Sequence, residues 1–184
     1  PSQPGKSAVE MFDGLRSGEI KAVWIACTNP AQSMPDQALI HEALARAELV
    51  IVQEAFGHTE TCAYADLLLP ATTWGEKDGT VTNSERAITR VRAAVSAPGE
   101  ARHDWAIVVD FARRLGTRLG KGALAERMFP YTCPEEIWNE HRESTRGRDL
   151  DITGMSYAML EHAGPQQWPF PEGANNGKVR LYEN

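Results

Sequence analysis

Three short apolar runs constrain this chain of 184 residues more than any other feature: Lys21-Ala22-Val23-Trp24-Ile25-Ala26-Cys27, Leu49-Val50-Ile51-Val52 and Asp66-Leu67-Leu68-Leu69-Pro70. Each has strand length and is closed by turn or polar chemistry: Thr28-Asn29-Pro30 after the first, Gln53-Glu54 after the second, Pro70 at the end of the third. The second run is apolar throughout, which predicts a parallel strand buried on both faces. Helical patterns lie between and before the runs. Residues 9–15 alternate at helical spacing up to Ser17-Gly18, and residues 36–47 follow a Pro35-Asp36 helix start with Ala38, Leu39, Leu44 and Ala45 on one face. A shorter helical turn is predicted over 59–64. This alternation predicts an α/β fold, an open and mainly parallel sheet flanked by helices, with ligands received beyond the carboxyl ends of the strands.

Beyond the third run the pattern changes. Residues 72–86 form a glycine-rich polar stretch, about as long as loops become in compact domains without a functional reason. Residues 100–115 predict an amphipathic helix with Trp105, Val108, Val109 and Ala112 on its apolar side and Gly116 as its stop. A further helix is predicted over 135–141. The last thirty residues, with Gly164-Pro165, Trp168-Pro169-Phe170-Pro171 and a strand-like Lys178-Val179-Arg180-Leu181, read as an extended strap. The expected organisation is therefore a sheet domain over 1–120 and a helical extension with a strap over 121–184. Pro1-Ser2-Gln3-Pro4-Gly5-Lys6 has neither an initiator Met nor a signal-peptide core, and Tyr182-Glu183-Asn184 directly follows a strand-like run, so the chain reads as a piece of a longer one.

Composition removes several functional classes. Hydrophobic residues at 42% and charged residues at 24% match globular averages, and no apolar stretch nears the ~20 residues of a membrane span. A soluble protein without a membrane partner is expected. The net charge is -6 and there is no basic run or basic-aromatic interleaving, which argues against nucleic acid. Cys27, Cys62 and Cys133 are odd in number and contain no CxxC, so they build neither a disulfide framework nor a metal cluster by themselves, and a reducing, cytoplasmic compartment is expected. Cys27 reads as a core residue of the first strand.

Three polar clusters fall where such a sheet takes ligands. The first is Thr28-Asn29-Pro30 through Asp36, where the helix start can attract an anion or can be an ordinary turn with a helix cap. The second is Gln53-Glu54, placed where an acid can accept bonds from ribose hydroxyls or simply end a strand in water. The third is the 74–86 stretch, with Lys77 as its cation among Gly, Thr and Asn. His58, His103, His141 and His162 are scattered, and no GxGxxG, HExxH, nucleophile elbow or Walker loop occurs. From the residues alone the reading is an α/β module for a nucleotide-like or phosphorylated ligand.

The order of these clusters resembles the molybdopterin oxidoreductases that carry a bis(molybdopterin guanine dinucleotide) molybdenum centre. The likeness rests on Cys27-Thr28-Asn29-Pro30, Val52-Gln53-Glu54-Ala55-Phe56, Thr59-Glu60-Thr61, Tyr64-Ala65-Asp66-Leu67-Leu68-Leu69-Pro70, Trp74-Gly75-Glu76-Lys77-Asp78-Gly79-Thr80, Thr82-Asn83-Ser84-Glu85-Arg86, Pro98-Gly99-Glu100-Ala101-Arg102 and Asp104-Trp105. The tail, through Thr145-Arg146-Gly147-Arg148-Asp149-Leu150 and Gln167-Trp168-Pro169, resembles the assimilatory, cytoplasmic nitrate reductase branch, with formate dehydrogenase the nearest competitor. The resemblance implies the third, Rossmann-like domain of that fold. It further implies cofactor contacts at Asn29, Gln53, Glu54, Lys77 and Asp104, and reduction of nitrate to nitrite in the intact enzyme with electrons from a donor protein or subunit. The family commonly has Asp where Glu54 stands, and the extra methylene moves the carboxylate by about 1.5 Å while keeping it an acceptor. The family's four-cysteine iron-sulfur motif, its molybdenum ligand and its C-terminal barrel domain have no counterpart in these residues, so the resemblance implies an inactive segment by itself. A non-catalytic α/β binding module of a redox complex is the alternative.

Overall fold

The computed structural model describes residues 4–182; the expectations about residues 1–3 and about Glu183 and Asn184 lie outside the described residues. The chain forms two compact units, one of residues 1–72 and 98–104, the other of residues 73–97 and 105–184.

In the first unit, helix α1 (Ala8–Ser17) begins in a capping box in which Ser7 N donates to Glu10 Oε2 at 2.7 Å and Glu10 N donates to Ser7 Oγ at 3.4 Å. It stops at Gly18, whose φ of 81° only glycine adopts without strain. Strand β1 (Ala22–Ala26), helices α2 (Pro30–Ser33) and α3 (Gln37–Arg46), strand β2 (Leu49–Glu54), a 3-10 turn (Thr61–Tyr64) and strand β3 (Leu67–Pro70) follow. The three strands form one parallel sheet in the order β1-β2-β3, with Ala26 opposite Gln53 and Gln53 opposite Leu69. The mixed α/β fold with a parallel sheet is thus present as the apolar runs predict.

Its burial is uneven. Val23, Ile25, Val50 and Val52 pack with Phe12, Leu15, Ile40, Ala43 and Leu44 of α1 and α3 in a single core. On the opposite face Leu49 and Leu67 stay 39% and 46% exposed while Gln53, on the same face as Leu49, is buried, so β2 is covered on both faces only toward its carboxyl end and not along the whole of its apolar run. The buried face of α3 is Ile40, Ala43 and Leu44, whereas Ala38 and Ala45 are exposed. Small residues fit either face of an amphipathic helix and mark neither. Cys27 also departs from expectation: it lies just past β1 in left-handed backbone (φ 58°) and is exposed.

In the second unit the polar 72–86 stretch is not an open loop. It contains a 3-10 turn (Trp74–Glu76) and strand β4 (Gly79–Thr82), which pairs antiparallel with β5 (Ala87–Val91), and β5 pairs with the short β6 (Gln166–Gln167). The connecting turn is held by Asn83 Oδ1, which accepts from Glu85 N at 2.9 Å and Ala87 N at 3.0 Å. Helix α4 (Asp104–Arg118) starts four residues later than predicted, and its buried residues are Ile107 and Val109 while Val108 is exposed. Helices α5 (Gly122–Met128), α6 (Pro134–Ser144) and α7 (Tyr157–Ala163) complete the unit, so the expected strap contains a helix. Lys178 to Leu181 is irregular, not a strand. Ile88, Trp138, Ile152, Met155, Tyr157, Leu160 and Phe170 build the second core. Two arginines brace it. Arg90 lies 4.0 Å from the Tyr157 ring centre and pairs with Asp78 and Glu161, and Arg86 stacks at 5.4 Å on Trp168 while donating to the carbonyls of Trp168, Lys178 and Val179.

Between α6 and α7 the chain is held by buried Asp151. Its Oδ1 accepts from Thr153 N at 2.8 Å and Thr153 Oγ1 at 2.6 Å, and its Oδ2 accepts from Gly147 N at 2.7 Å. These bonds, those from Thr153 foremost, hold the Asp151 carboxyl below its ordinary range. A depressed folded pKa contributes stability that is present above the unfolded value of about 3.9 and is lost as the pH falls through the folded value. Asp151→Asn turns an amide N–H toward Gly147 N–H and should cost roughly 1–3 kcal/mol at neutral pH. Urea unfolding from pH 7 to pH 2 should show this gap between wild type and variant intact down to about pH 4 and closing below it.

Candidate functional site

Parallel pairing puts the ends of β1 and β2 on the same edge of the first unit, with Ala26 beside Gln53. A third segment joins them. After the second-unit excursion the chain returns alongside β3: Arg102 N donates to Pro70 O at 3.0 Å and Thr72 N donates to Arg102 O at 3.0 Å, a parallel bridge that delivers Asp104 to the end of β2. His103 Nδ1 meets Thr72 Oγ1 at 3.2 Å on the same return. A pairing of two backbone segments thus brings together Gln53 and Asp104, which are far apart in sequence.

Gln53 is 2% exposed. Its Nε2 donates to Asp104 Oδ1 at 2.8 Å, and the Cys27 thiol approaches the same oxygen at 3.5 Å. Cys27 N donates to Gln53 O at 3.1 Å, so the backbone of Gln53 is fixed on this side as well. Gln53 Oε1, buried, receives no hydrogen bond among the described residues. Such a buried acceptor is uncommon and calls for an explanation. Glu54, half-buried, uses Oε1 to accept from Ala55 N at 2.7 Å and Phe56 N at 3.3 Å, which fixes the carboxylate at the strand end and leaves Oε2 with no donor among the described residues.

Asn29 is the most committed of the sequence-predicted residues. Its Oδ1 accepts from Thr61 Oγ1 at 2.6 Å and Thr61 N at 3.1 Å, and its Nδ2 donates to Glu60 Oε2 at 2.6 Å and Gln32 Oε1 at 3.2 Å. Thr61, with 0% exposure, in turn accepts from Ala31 N at 3.1 Å. The bond from Asn29 is the main reason the Glu60 carboxyl lies below its ordinary range. Asn29 therefore ties the loop after β1 to the turn after β2. A threonine and an acid at a turn of this kind read as caps, and only the structure shows that both hold the Asn29 amide.

The anion reading of the first cluster gives way to the cap. Asp36 Oδ1 accepts from Leu39 N at 3.2 Å, so the start of α3 is occupied by its own carboxylate. Lys77 belongs to the second unit, where its ammonium lies 5.6 Å from the Trp74 ring centre. The structure thus brings Gln53, Glu54, Asn29 and Asp104 into one unit. Among the described residues no group of His, Cys, Asp and Glu is arranged to hold a metal ion, and no helix is long and apolar enough to cross a membrane.

The molybdopterin oxidoreductase family matches residues 1–114. The chain belongs to the molybdopterin oxidoreductases. It is 42% identical over 178 residues to the assimilatory nitrate reductase catalytic subunit of Bacillus subtilis (strain 168), covering 97% of this chain and 24% of that one. With a nitrate reductase of Synechocystis sp. it shares 44% identity over 184 residues, covering 98% and 25%. The F420-dependent formate dehydrogenase subunit alpha of Methanocaldococcus jannaschii is 37% identical, covering 98% and 24%. The chain thus spans about a quarter of the length of these relatives. Among solved structures, acetylene hydratase from Pelobacter acetylenicus shares the fold with a TM-score of 0.62 at 22% identity, over 84% of this chain and 20% of that one. A molybdenum-molybdopterin cofactor is implied by the family.

If Thr61 is the lock between the two loops, Thr61→Val removes the donor to Asn29 and the acceptor for Ala31 N while keeping its volume. A loss of about 1–3 kcal/mol is expected in urea unfolding, against less than about 0.5 kcal/mol for Ser33→Ala at the exposed end of α2.

Proposed function

We propose that the chain is the molybdopterin-guanine-dinucleotide-binding segment of a nitrate reductase, one that reduces nitrate to nitrite at a molybdenum centre. The observation that carries the reading is Gln53 Oε1, a buried acceptor without a donor among the described residues, at the carboxyl end of a parallel strand. The donor set of the cofactor suits it. Guanine offers N1–H and an exocyclic amine side by side, the ribose offers two hydroxyls, and Gln53 Oε1 with Glu54 Oε2 are acceptors waiting for such groups. The proposed binding set is Asn29, Gln53, Glu54, Lys77 and Asp104. Lys77 neutralises the diphosphate or hydrogen-bonds the pterin, a task its three freely rotating donors meet without demanding one direction.

When bound, such a centre would supply the oxygen-atom and two-electron transfer that, with two protons, turns nitrate into nitrite and water. The contribution of this chain is binding, orientation and electrostatics. Glu54 holds the guanosine end through a carboxylate already fixed by its own backbone, which limits the entropy lost on binding. In this reading residues 1–120 form the third, Rossmann-like domain and residues 121–184 lead toward a barrel domain. Other domains of a longer chain supply the molybdenum ligand and the iron-sulfur cluster, and an electron-donor protein reduces the enzyme in the cytoplasm. The 184 residues alone are then not expected to reduce nitrate. Nitrate is preferred to formate as substrate because relatives named for nitrate reach 42% and 44% identity against 37% for the formate enzyme.

The test uses the full-length gene product made in a host that synthesises the guanine dinucleotide cofactor. Glu54→Ala leaves ligand donors unpaired and should lose about 1.5–3 kcal/mol of cofactor binding, read as lower molybdenum content and less GMP released by acid hydrolysis. Lys77→Ala should lower nitrate reduction per bound molybdenum as well as occupancy. Full occupancy and wild-type turnover in both variants would remove the binding assignment, and formate oxidation without nitrate reduction would transfer the substrate to the formate branch.

A further inference from the structure

Helix α4 buries Ile107 and Val109 but leaves a second apolar stripe in solvent. Val108, Phe111, Leu115 and Leu119 recur at spacings of three, four and four, which is one face of a helix, over a length of about 16 Å at 1.5 Å per residue. Leu124 and Met128, one turn apart on α5, continue it, and all six residues are 41% to 63% exposed. Together they line one groove of about 290 Å3. The two helices touch within it: a Cβ placed on Gly116 would lie 2.3 Å from Ala125 Cβ, so only glycine lets α4 approach α5 this closely. Soluble proteins rarely leave a contiguous apolar surface uncovered unless something docks there. Small-molecule pockets set a few polar groups among apolar ones to orient the ligand, whereas Lys121 is the single polar side chain among the residues lining this groove.

Charge narrows the occupant further. The chain carries a net charge of -6, yet residues 113–128 hold five cations, Arg113, Arg114, Arg118, Lys121 and Arg127, against one acid, Glu126. Two of the five are answered within the chain, Arg113 at 3.4 Å from Glu126 and Arg114 at 2.7 Å from Asp110. Arg118, Lys121 and Arg127 form no ion pair among the described residues. We infer that the groove seats an amphipathic helix, apolar on one face and acidic along its flank, that belongs to the same longer polypeptide and lies outside these 184 residues. The chain spans about a quarter of the length of its relatives, and in proteins of that length the larger part of the polypeptide is available to cover such a face. A helix fits because anchors at i, i+3, i+4 and i+7 fill a trough between two other helices, and carboxylates beside them meet the three unpaired cations. A second copy of this chain fits the apolar stripe but not the charge: a two-fold interface sets one surface against itself, so the cations of one copy would confront those of the other. None of the groove residues belongs to the proposed guanosine-binding set, so the occupant is tested separately from cofactor binding.

Met128 makes the groove readable without a substitution. The purified full-length gene product is treated with dilute hydrogen peroxide, and the conversion of each methionine to its sulfoxide is followed by peptide mass spectrometry. Met155, with 0% exposure, is the buried reference and reports in every sample that the second unit is folded, while the urea-unfolded protein gives the exposed limit. In the folded protein Met128 should oxidise at least about tenfold more slowly than in the unfolded one, at a rate independent of protein concentration. Arg118→Glu combined with Lys121→Glu leaves the apolar stripe intact and should speed Met128 oxidation about fivefold while Met155 stays slow. A photo-crosslinking leucine analogue at position 119 should join a peptide of the same polypeptide from outside these 184 residues. Met128 oxidised at the unfolded rate, protection that disappears on dilution, a cross-link to a second copy or to another protein, or a charge reversal without effect overturns the inference.

Discussion

Parallel pairing of β1, β2 and β3 is the constraint from which the candidate site follows. Strands that run the same way end on the same side, so the residues that close them, Cys27 after β1 and Gln53-Glu54 at the end of β2, become neighbours whatever their distance in sequence. The return of residues 98–104 beside β3 adds Asp104 to that edge through two backbone hydrogen bonds of 3.0 Å. Nothing in the local sequence of Asp104 needs to specify this position, because the ladder does. The apolar face formed by Val23, Ile25, Val50 and Val52 fixes the register, since a slip of either strand by one residue would turn its pair away from α1 and α3.

On this scaffold the polar residues divide into those that are spent and those that are held in reserve. Asn29 uses its amide oxygen on Thr61 and its nitrogen on Glu60 and Gln32, which makes it a clasp between two loops. Asp36 is spent on the start of α3. Gln53 spends its nitrogen and keeps its oxygen, and Glu54 spends one oxygen on its own backbone and keeps the other. The reserved atoms are all acceptors, and they stand beside spent groups that prevent them from turning away. Binding sites gain affinity by such preorganisation, because the ordering cost is met during folding and not at the moment of binding.

The strands were legible in the sequence because each is a compact apolar run with a stop, and the helix start read at Pro35-Asp36 is the cap of α3; the Ser7–Glu10 box at the start of α1 was not read from the sequence. The β4–β5 hairpin was not, since Gly79-Thr80-Val81-Thr82 is as polar as a loop and its outer partner β6 lies near residue 166. The uneven burial of β2 was hidden as well: Leu49-Val50-Ile51-Val52 has no alternation to show that Leu49 is exposed while Val50 and Val52 are covered. In the site, spacing identified Gln53 and Glu54 at a strand end, a purely local property. Which atom of Gln53 is in use depends on Asp104, and the exposure of Cys27 depends on a left-handed backbone residue; neither leaves a mark in a linear pattern.

The central claim is that Gln53 Oε1 is a reserved acceptor for the donor-bearing end of the cofactor. An experimental structure of the cofactor-loaded protein tests it most directly, through the surroundings of that one atom. The predicted result is a guanine N–H or a ribose hydroxyl within about 3.2 Å of Gln53 Oε1, with Nε2 still on Asp104. A cofactor bound with its guanosine away from the end of β2, or Gln53 turned so that its oxygen meets only solvent, would contradict it.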